Sequence, residues 1–354
     1  MKSKIINAVG KIAAAVLTIV VALFIGGILI AISGNSPLEA YKTLFQGAFG
    51  SKLRLSETFV KMIPLTLIAL GTSIAFRSQL WNIGGDGQFI MGAVLSTAVG
   101  LYSGLPTWIV LPLSLICAAL GGALWAGFAG WIRTRFNANE VITTLMLNYV
   151  ATYLLAFLVY GPMQDTAGYD YPQSAVLAES LHLPLFSSSL RIHTGIFVAI
   201  IAVFLVLLFW KSTQGYKTDL VGQGNMISQY AGLNVKRTIV ITMMLSGALA
   251  GLAGWTEIYG VQYRLLEGIS SGYGNLAVVI ALLGGLNPIG ICVASFFFSA
   301  LLVGGATMQR MTEVPYSVVD IIQGLIIILV ITRTSFHSAR VKAFFARRKK
   351  QHVK

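Results

Sequence analysis

The sequence predicts an all-α integral membrane protein. It has about ten transmembrane helices in two inverted five-helix halves, with a short broken helix in each half. Three observations predict this class. Of 354 residues, 56% are hydrophobic and only 10% are charged, with a mean hydropathy of +0.79. A soluble globule is nearer a quarter charged. Apolar runs long enough to cross a bilayer recur along the chain. The net charge of +13 flanks those runs asymmetrically, which marks membrane topology rather than nucleic-acid binding. Residues 1–354 read as one transmembrane domain. Its parts are halves at 12–160 and 195–332, a cytoplasmic loop at 211–237 and a basic cytoplasmic tail at 333–354.

Lys2, Lys4 and Lys11 precede an apolar run over 12–32. As a helix its 21 residues span about 31 Å, enough to cross the hydrocarbon core. A cleaved signal peptide begins in the same way. This run exceeds a usual signal core and more spans follow, so it is read as the first helix. Residues 35–58 form a polar outer segment, and 59–76 form the second helix, with Pro64 and Gly71 inside it. The glycine-rich turn Arg77-Ser-Gln-Leu-Trp-Asn-Ile-Gly-Gly-Asp-Gly-Gln88 follows. The next apolar run, 89–102, is only about 21 Å long as a helix. A span that short is broken or re-entrant, and protein or a watery path must surround it.

Helices four and five occupy 108–132 and 141–160, joined by a turn carrying Arg133 and Arg135. Residues 161–194 are a proline-containing outer segment, and 196–210 form helix six. Helix seven is 238–260, where Gly247 and Gly251 stand four apart and admit a close neighbour. The second short span, 275–286, ends at Asn287-Pro288. Helices nine and ten occupy 289–308 and 316–332. Ten spans put both termini on one side. Eighteen of the 25 Lys and Arg residues then fall in the segments assigned to the cytoplasm. Helix one runs outward and helix six inward, so the halves form an inverted repeat. The paired short spans point to a transport path at the repeat interface; two unrelated kinks are the competing reading.

The loop at 211–237 carries Lys211, Lys217, Lys236 and Arg237 against the single acid Asp219. That bias is cytoplasmic. Residues 225–231 suit two turns of helix, which Gly232 and Asn234 end. A short helix held at the membrane surface is a handle for a cytosolic motor; an ordinary polar surface loop has the same composition.

The chain lacks a phosphate-cradling G-x-x-x-x-G-K-[ST], H-E-x-x-H, C-x-x-C and G-x-S-x-G. Its four histidines lie outside the spans. A transport subunit is therefore expected rather than an enzyme, with no cofactor, no metal and no catalytic residue. Cys117 and Cys292 lie in apolar runs and read as buried free thiols. Glu140, Glu257 and Asp320 sit near span ends, as solvated or paired groups. Trp81, Trp131, Tyr160, Trp210 and Tyr259 make an interfacial belt. Trp125, Asn148, Tyr149 and Tyr153 lie deeper. Asn148 and Tyr149 either face a polar path or bond a neighbouring helix. The candidate path residues are Asn82, Gln88, Asn148 and Tyr149.

Several stretches then carry a resemblance. Trp81-Asn-Ile-Gly-Gly-Asp-Gly-Gln88 resembles the Asn-Ile-Gly-x-(Glu/Asp)-Gly-Gln stretch of the branched-chain amino acid/ribose class of ABC transporter permeases. Asn139-Glu-Val-Ile-Thr-Thr-Leu-Met-Leu-Asn-Tyr149 is similar to the nucleoside branch of that class. Tyr171-Pro-Gln-Ser174, Ile280-Ala-Leu-Leu-Gly284 with Asn287-Pro288, and Gly304-Gly305 before Met308-Gln-Arg310 fit the same branch. The resemblance covers about 12–332.

The central loop departs from the pattern. The family carries Arg-Ala-Val-Gly-x-Asn-Pro-x-Ala-Ala-Arg-Tyr-Ala-Gly. Here Asp219-Leu220 stands for Arg-Ala, Gly224-Asn225 for Asn-Pro and Ile227-Ser-Gln229 for Ala-Ala-Arg. The resemblance implies an importer in a bacterial cell membrane. It would comprise an ABC ATPase subunit that hydrolyses ATP, a second related permease subunit forming a heterodimer, and a substrate-binding lipoprotein. The implied substrates are nucleosides, guanosine and other purine nucleosides among them. A simple-sugar permease of the same class is the alternative. The implied contacts to the ATPase are Asp219, Gly222, Asn225, Gln229, Tyr230, Ala231 and Gly232.

Overall fold

A computed structural model describes residues 17, 19–167, 171–187, 189–312 and 314–336. The described residues are helical, with isolated bridges and no named strand. Helices run α1 (Ile19–Ile32), α2 (Pro37–Phe49), α3 (Lys52–Arg77), α4 (Gly85–Tyr102), α5 (Thr107–Phe136) and α6 (Glu140–Val159). They continue α7 (Gly195–Phe209), α8 (Thr213–Gln223), α9 (Asn225–Tyr230), α10 (Val235–Glu257), α11 (Tyr273–Leu283), α12 (Pro288–Met311) and α13 (Ser317–Phe336). Five helices are long and apolar enough to cross a membrane: α3, α5, α6, α12, and α10 with its extension to Gln262. The α7–α8 pair, bent by 70°, makes a sixth if counted as one span. Each of the ten segments expected to span coincides with a helix. The basic tail beyond 336, with His337 and His352, lies outside the described residues, as do Lys2, Lys4 and Lys11.

Three expectations are corrected. The polar segment 35–58 is itself helical, holding α2 and the start of α3, so the second expected span begins earlier than residue 59. Ser36 caps α2 by accepting the Glu39 amide, and Pro37 opens its first turn. The short fourth helix begins at Gly85 rather than Phe89, because the polar groups of its first turn find partners inside the protein. The central loop holds two helices instead of one. Ser212 starts α8 by accepting the Gly215 amide.

The chain packs as two compact units, residues 1–51 with 300–354, and residues 52–299. In the first unit Gly47 of α2 meets Thr307, and Gly304 meets the Leu44 backbone. Gly26 of α1 lies on Ile322 of α13, and the Tyr41 hydroxyl donates to the Leu23 carbonyl.

In the second unit α10 packs against α3, α4 and α5. The seam is made of glycine. Gly247 and Gly122 each face the other's carbonyl, Gly251 faces the Ala118 carbonyl, and Gly92 sits on Gly251. A Cβ on any of these would overlap backbone. The close approach expected at Gly247 and Gly251 is therefore present, with α5 and α4 as the partners. Phe76, Leu80, Ala126, Val221, Ile239 and Met243 form one apolar cluster, so the α8 residue Val221 is plugged into the helix core. Cys117 and Cys292 are free and half-buried.

The segment between α6 and α7 is pinned to the turn after α10. Ser174 accepts the Leu265 amide at 2.9 Å, and Arg264 donates to Gln173 at 3.0 Å. His193 packs its ring against Gly260 and accepts the Gly195 amide on Nδ1 at 3.2 Å, which puts the ring proton on Nε2. Burial pulls its pKa from 6.5 down to about 4. The unfolded chain then binds the proton first as pH falls. The stability this neutral ring contributes is complete above pH 6.5 and is lost on the way down to pH 4. Between pH 7 and 5 the loss is on the order of 2 kcal/mol. The purified protein is expected to melt at a lower temperature at pH 5 than at pH 7. His193→Asn, which keeps an acceptor and cannot titrate, flattens that difference. An equal pH effect in the variant would assign it to other groups.

Candidate translocation and coupling site

The turn between α3 and α4 is a knot of polar groups. Asn82 and Gln88, each 2% exposed, form a reciprocal amide pair at 3.1 and 2.8 Å. Asn82 also donates to Ser246 of α10 at 2.9 Å and accepts the Gly84 amide at 3.0 Å. From α6, Asn148 accepts the Gly87 amide at 2.8 Å and donates to the Ile83 carbonyl at 3.0 Å. Thr144 accepts the Ile83 amide at 3.3 Å, and Trp125 donates to the Leu147 carbonyl at 3.2 Å. These contacts satisfy backbone that has left the helix within the membrane. Asn82, Gln88 and Asn148 thus come together, but they bond one another and the backbone. Tyr149 does not join them. It is 60% exposed and points away from the bundle.

The two short helices meet at their N-terminal ends. Asp86, in the first turn of α4, accepts the Gly274 amide in the first turn of α11 at 2.9 Å. Gly85 and Gly274 let the backbones touch. A carboxylate there faces the positive end of both helix dipoles. One residue earlier, the Tyr273 hydroxyl accepts from Lys61 Nζ, which also lies 3.7 Å from Glu257. Glu257 is 1% exposed and takes Gln262 as a further donor at 3.2 Å. One π-helical turn, Ile258–Gln262, follows it directly. Lys61 stands in the third turn of α3. Its polarity was visible, but the start of α3 at Lys52 was not. Glu140 is paired with Arg133 at 2.9 Å, and Asp320 is exposed.

The loop at 211–237 is clasped to α3. Asp219 of α8 accepts from Arg77 at 2.6 Å, and the guanidinium stacks 3.7 Å from the Trp210 ring. Ser78 donates to the Thr218 carbonyl at 2.9 Å, and Gly222 lies on the Arg77 carbonyl. Ser228 ties α9 back to the Leu220 carbonyl at 3.0 Å. The helix ends at Gly232 as the sequence predicts, whereas Asn234 caps the start of α10 by accepting the Arg237 amide at 3.0 Å. Gly232 has φ +73°, its amide donates to Gln229 at 2.9 Å, and the Leu233 amide donates to Ser228 at 3.0 Å. Asn225 begins α9; Gln229 and Ala231 are exposed. Met226, Ile227 and Tyr230 are bared, Tyr230 to 90%.

Comparison with known proteins agrees with this architecture. The family described as "Branched-chain amino acid transport system / permease component" matches residues 54–331. The chain is 34% identical to the glucose ABC transporter permease protein TsgB13 of Haloferax volcanii, over 94% of this chain and 90% of that one. It is 35% identical to the guanosine ABC transporter permease protein NupP of Bacillus subtilis, over 89% and 91%. It is 32% identical to the nucleoside ABC transporter permease protein NupB of Lactococcus lactis, over 92% of each.

Proposed function

We propose a function from one premise: the chain belongs to the family of branched-chain amino acid transport system permease components. It is a multi-pass membrane transport subunit. Its cargo is a nucleoside, with purine nucleosides such as guanosine foremost. A separate ABC ATPase subunit hydrolyses the ATP, a second related permease completes a heterodimer, and an external lipoprotein delivers the substrate. The assembly lies in a bacterial cell membrane, with both termini and the 211–237 loop inside, in keeping with the cation bias. The path runs between the inverted halves 12–160 and 195–332, where the N-terminal ends of α4 and α11 meet. Tyr149 faces it. Asn82, Gln88 and Asn148 hold the turn behind it.

The observation that carries the coupling part is the build of α8 and α9. One side is clasped to α3 through Arg77 and Asp219, and the other bares Met226, Ile227 and Tyr230. An apolar rim on a fixed base suits the cleft of a motor subunit and passes its closure to the spans. Gly222 lies in the clasped base. Asn225, Gln229, Ala231 and Gly232 complete the docking helix.

The nucleoside part rests on the guanosine and nucleoside permeases that resemble this chain over about nine-tenths of its length. A sugar is the second reading, favoured by a glucose permease of nearly equal identity. Uptake of labelled guanosine by cells expressing the whole system separates them. Unlabelled adenosine is expected to compete, and glucose, ribose and xylose to leave uptake unchanged. Competition by a sugar and not by adenosine transfers the protein to the sugar branch.

A further inference from the structure

The outward faces of the spanning helices differ in one respect. The bared face of α7 is hydrocarbon at mid-depth, with Ile200, Ile201, Phe204 and Leu205. The bared face of α5 is Ile116, Leu120, Leu124 and Phe128. Lipid suits both. The α6 face carries Tyr149 and Tyr153, 60% and 73% exposed. They stand four residues apart and so lie one above the other. Tyr149 is the tenth residue of the 20 in α6, about 15 Å from either end. Its phenol cannot reach either membrane surface from there. A hydroxyl left against lipid tails would have no hydrogen-bond partner.

We infer that this α6 stripe is the solute station of the transport path, with Tyr149 and Tyr153 as two stacking rungs for a neutral, flat, hydrogen-bonding molecule of the nucleoside class. This rests on the transport reading above and names the surface that reading leaves open. A phenol ring offers a π-face for the base and a hydroxyl for its edge, without the charge that would hold a neutral solute's counter-groups. Asn148 adds the geometry. Its side chain bonds Gly87 and Ile83 on the opposite side of α6, which turns the adjacent Tyr149 outward and fixes the helix against rotation. The bared neighbours Met146 and Val150 complete an apolar wall around the two rings.

The test uses the whole importer in membrane vesicles, with Cys117 and Cys292 replaced by serine. Y149C, Y153C and the lipid-face control I200C are each treated, during ATP-driven turnover, with a charged methanethiosulfonate added to both membrane faces. Reaction at 149 and 153 but not at 200, slowed by saturating guanosine and not by glucose, is the result expected. Tyr153→Ala should lower guanosine uptake about tenfold, and Tyr153→Phe less, because the ring remains. Absence of reaction at both tyrosine positions overturns the inference, as does cross-linking of Y153C to a neighbouring permease without aqueous reactivity. Reaction unaffected by guanosine, or slowed by glucose alone, overturns the nucleoside station. If the vesicles transport neither solute, the transport reading itself fails. Thiol reactivity then still decides whether the stripe faces water.

Discussion

Gly251→Leu is expected to remove the folded protein from the membrane. The Gly251 Cα sits against Gly92 of α4, and its missing Cβ would enter the Ala118 carbonyl of α5. Three helices meet at one atom. A leucine placed there cannot be accommodated by a neighbour changing rotamer, because the neighbour is backbone. Core overpacking costs about 1–3 kcal/mol when side chains can shift. Here whole helices must part, and the cost approaches the stability of an ordinary domain, about 5–15 kcal/mol. Detergent extraction followed by size-exclusion chromatography is the measurement. More than a tenfold loss of the monodisperse peak is expected for leucine, and a smaller loss for Gly251→Ala. A leucine variant with a normal peak would show that α10 and α5 are not in backbone contact.

Asp219→Arg is expected to reduce uptake about tenfold while ATP hydrolysis by the assembly continues. The variant sets two guanidinium groups against each other where Arg77 and Asp219 now meet at 2.6 Å. Both side chains are about a third exposed, so the pair alone contributes about 0.2–1 kcal/mol. Stacking of Arg77 on Trp210 adds about as much again. On the proposed coupling, the loss falls on the link between α8 and α3. Uptake per ATP hydrolysed, measured in proteoliposomes, therefore moves more than assembly does. The exchange R77D/D219R should recover a large part of the ratio. A double variant no better than Asp219→Arg would mean that the contact is incidental. The same pair gives a physical sense to the loop's departure from the family pattern. Asp219 stands where the pattern that the loop resembles has arginine, and here it is met by the cation Arg77 of α3.

How much of this was legible in the sequence depended on the range of the interaction. The ten apolar segments were legible, because hydrophobicity and length are local properties. So was the end of α9 at Gly232, where a positive φ is a demand of one residue. The helix α8 was not, since Thr213–Gln223 has no apolar periodicity and is held by Ser78, Arg77 and the core around Val221. The polar residues of the glycine-rich turn were visible in the sequence as a group. Their direction was invisible, because Asn148 stands 61 residues from Gly87 and Asn82 stands 164 from Ser246. Gly247 and Gly251 announced a close neighbour, while Gly92 and Gly122, the surfaces they meet, carried no signal of pairing with them.

The glycine seam has a mechanical consequence. Side chains at an ordinary helix contact absorb small displacements by hopping between rotamers, so a push at one end fades with distance. Gly92, Gly122, Gly247 and Gly251 have no rotamers to change, and carbonyls interlock where they touch. A contact of this kind has almost no compliance. If a partner moves α8, the proposed stroke passes through the α4–α5–α10 block as through one rigid piece and reaches α6, only 17% of whose apolar window is buried.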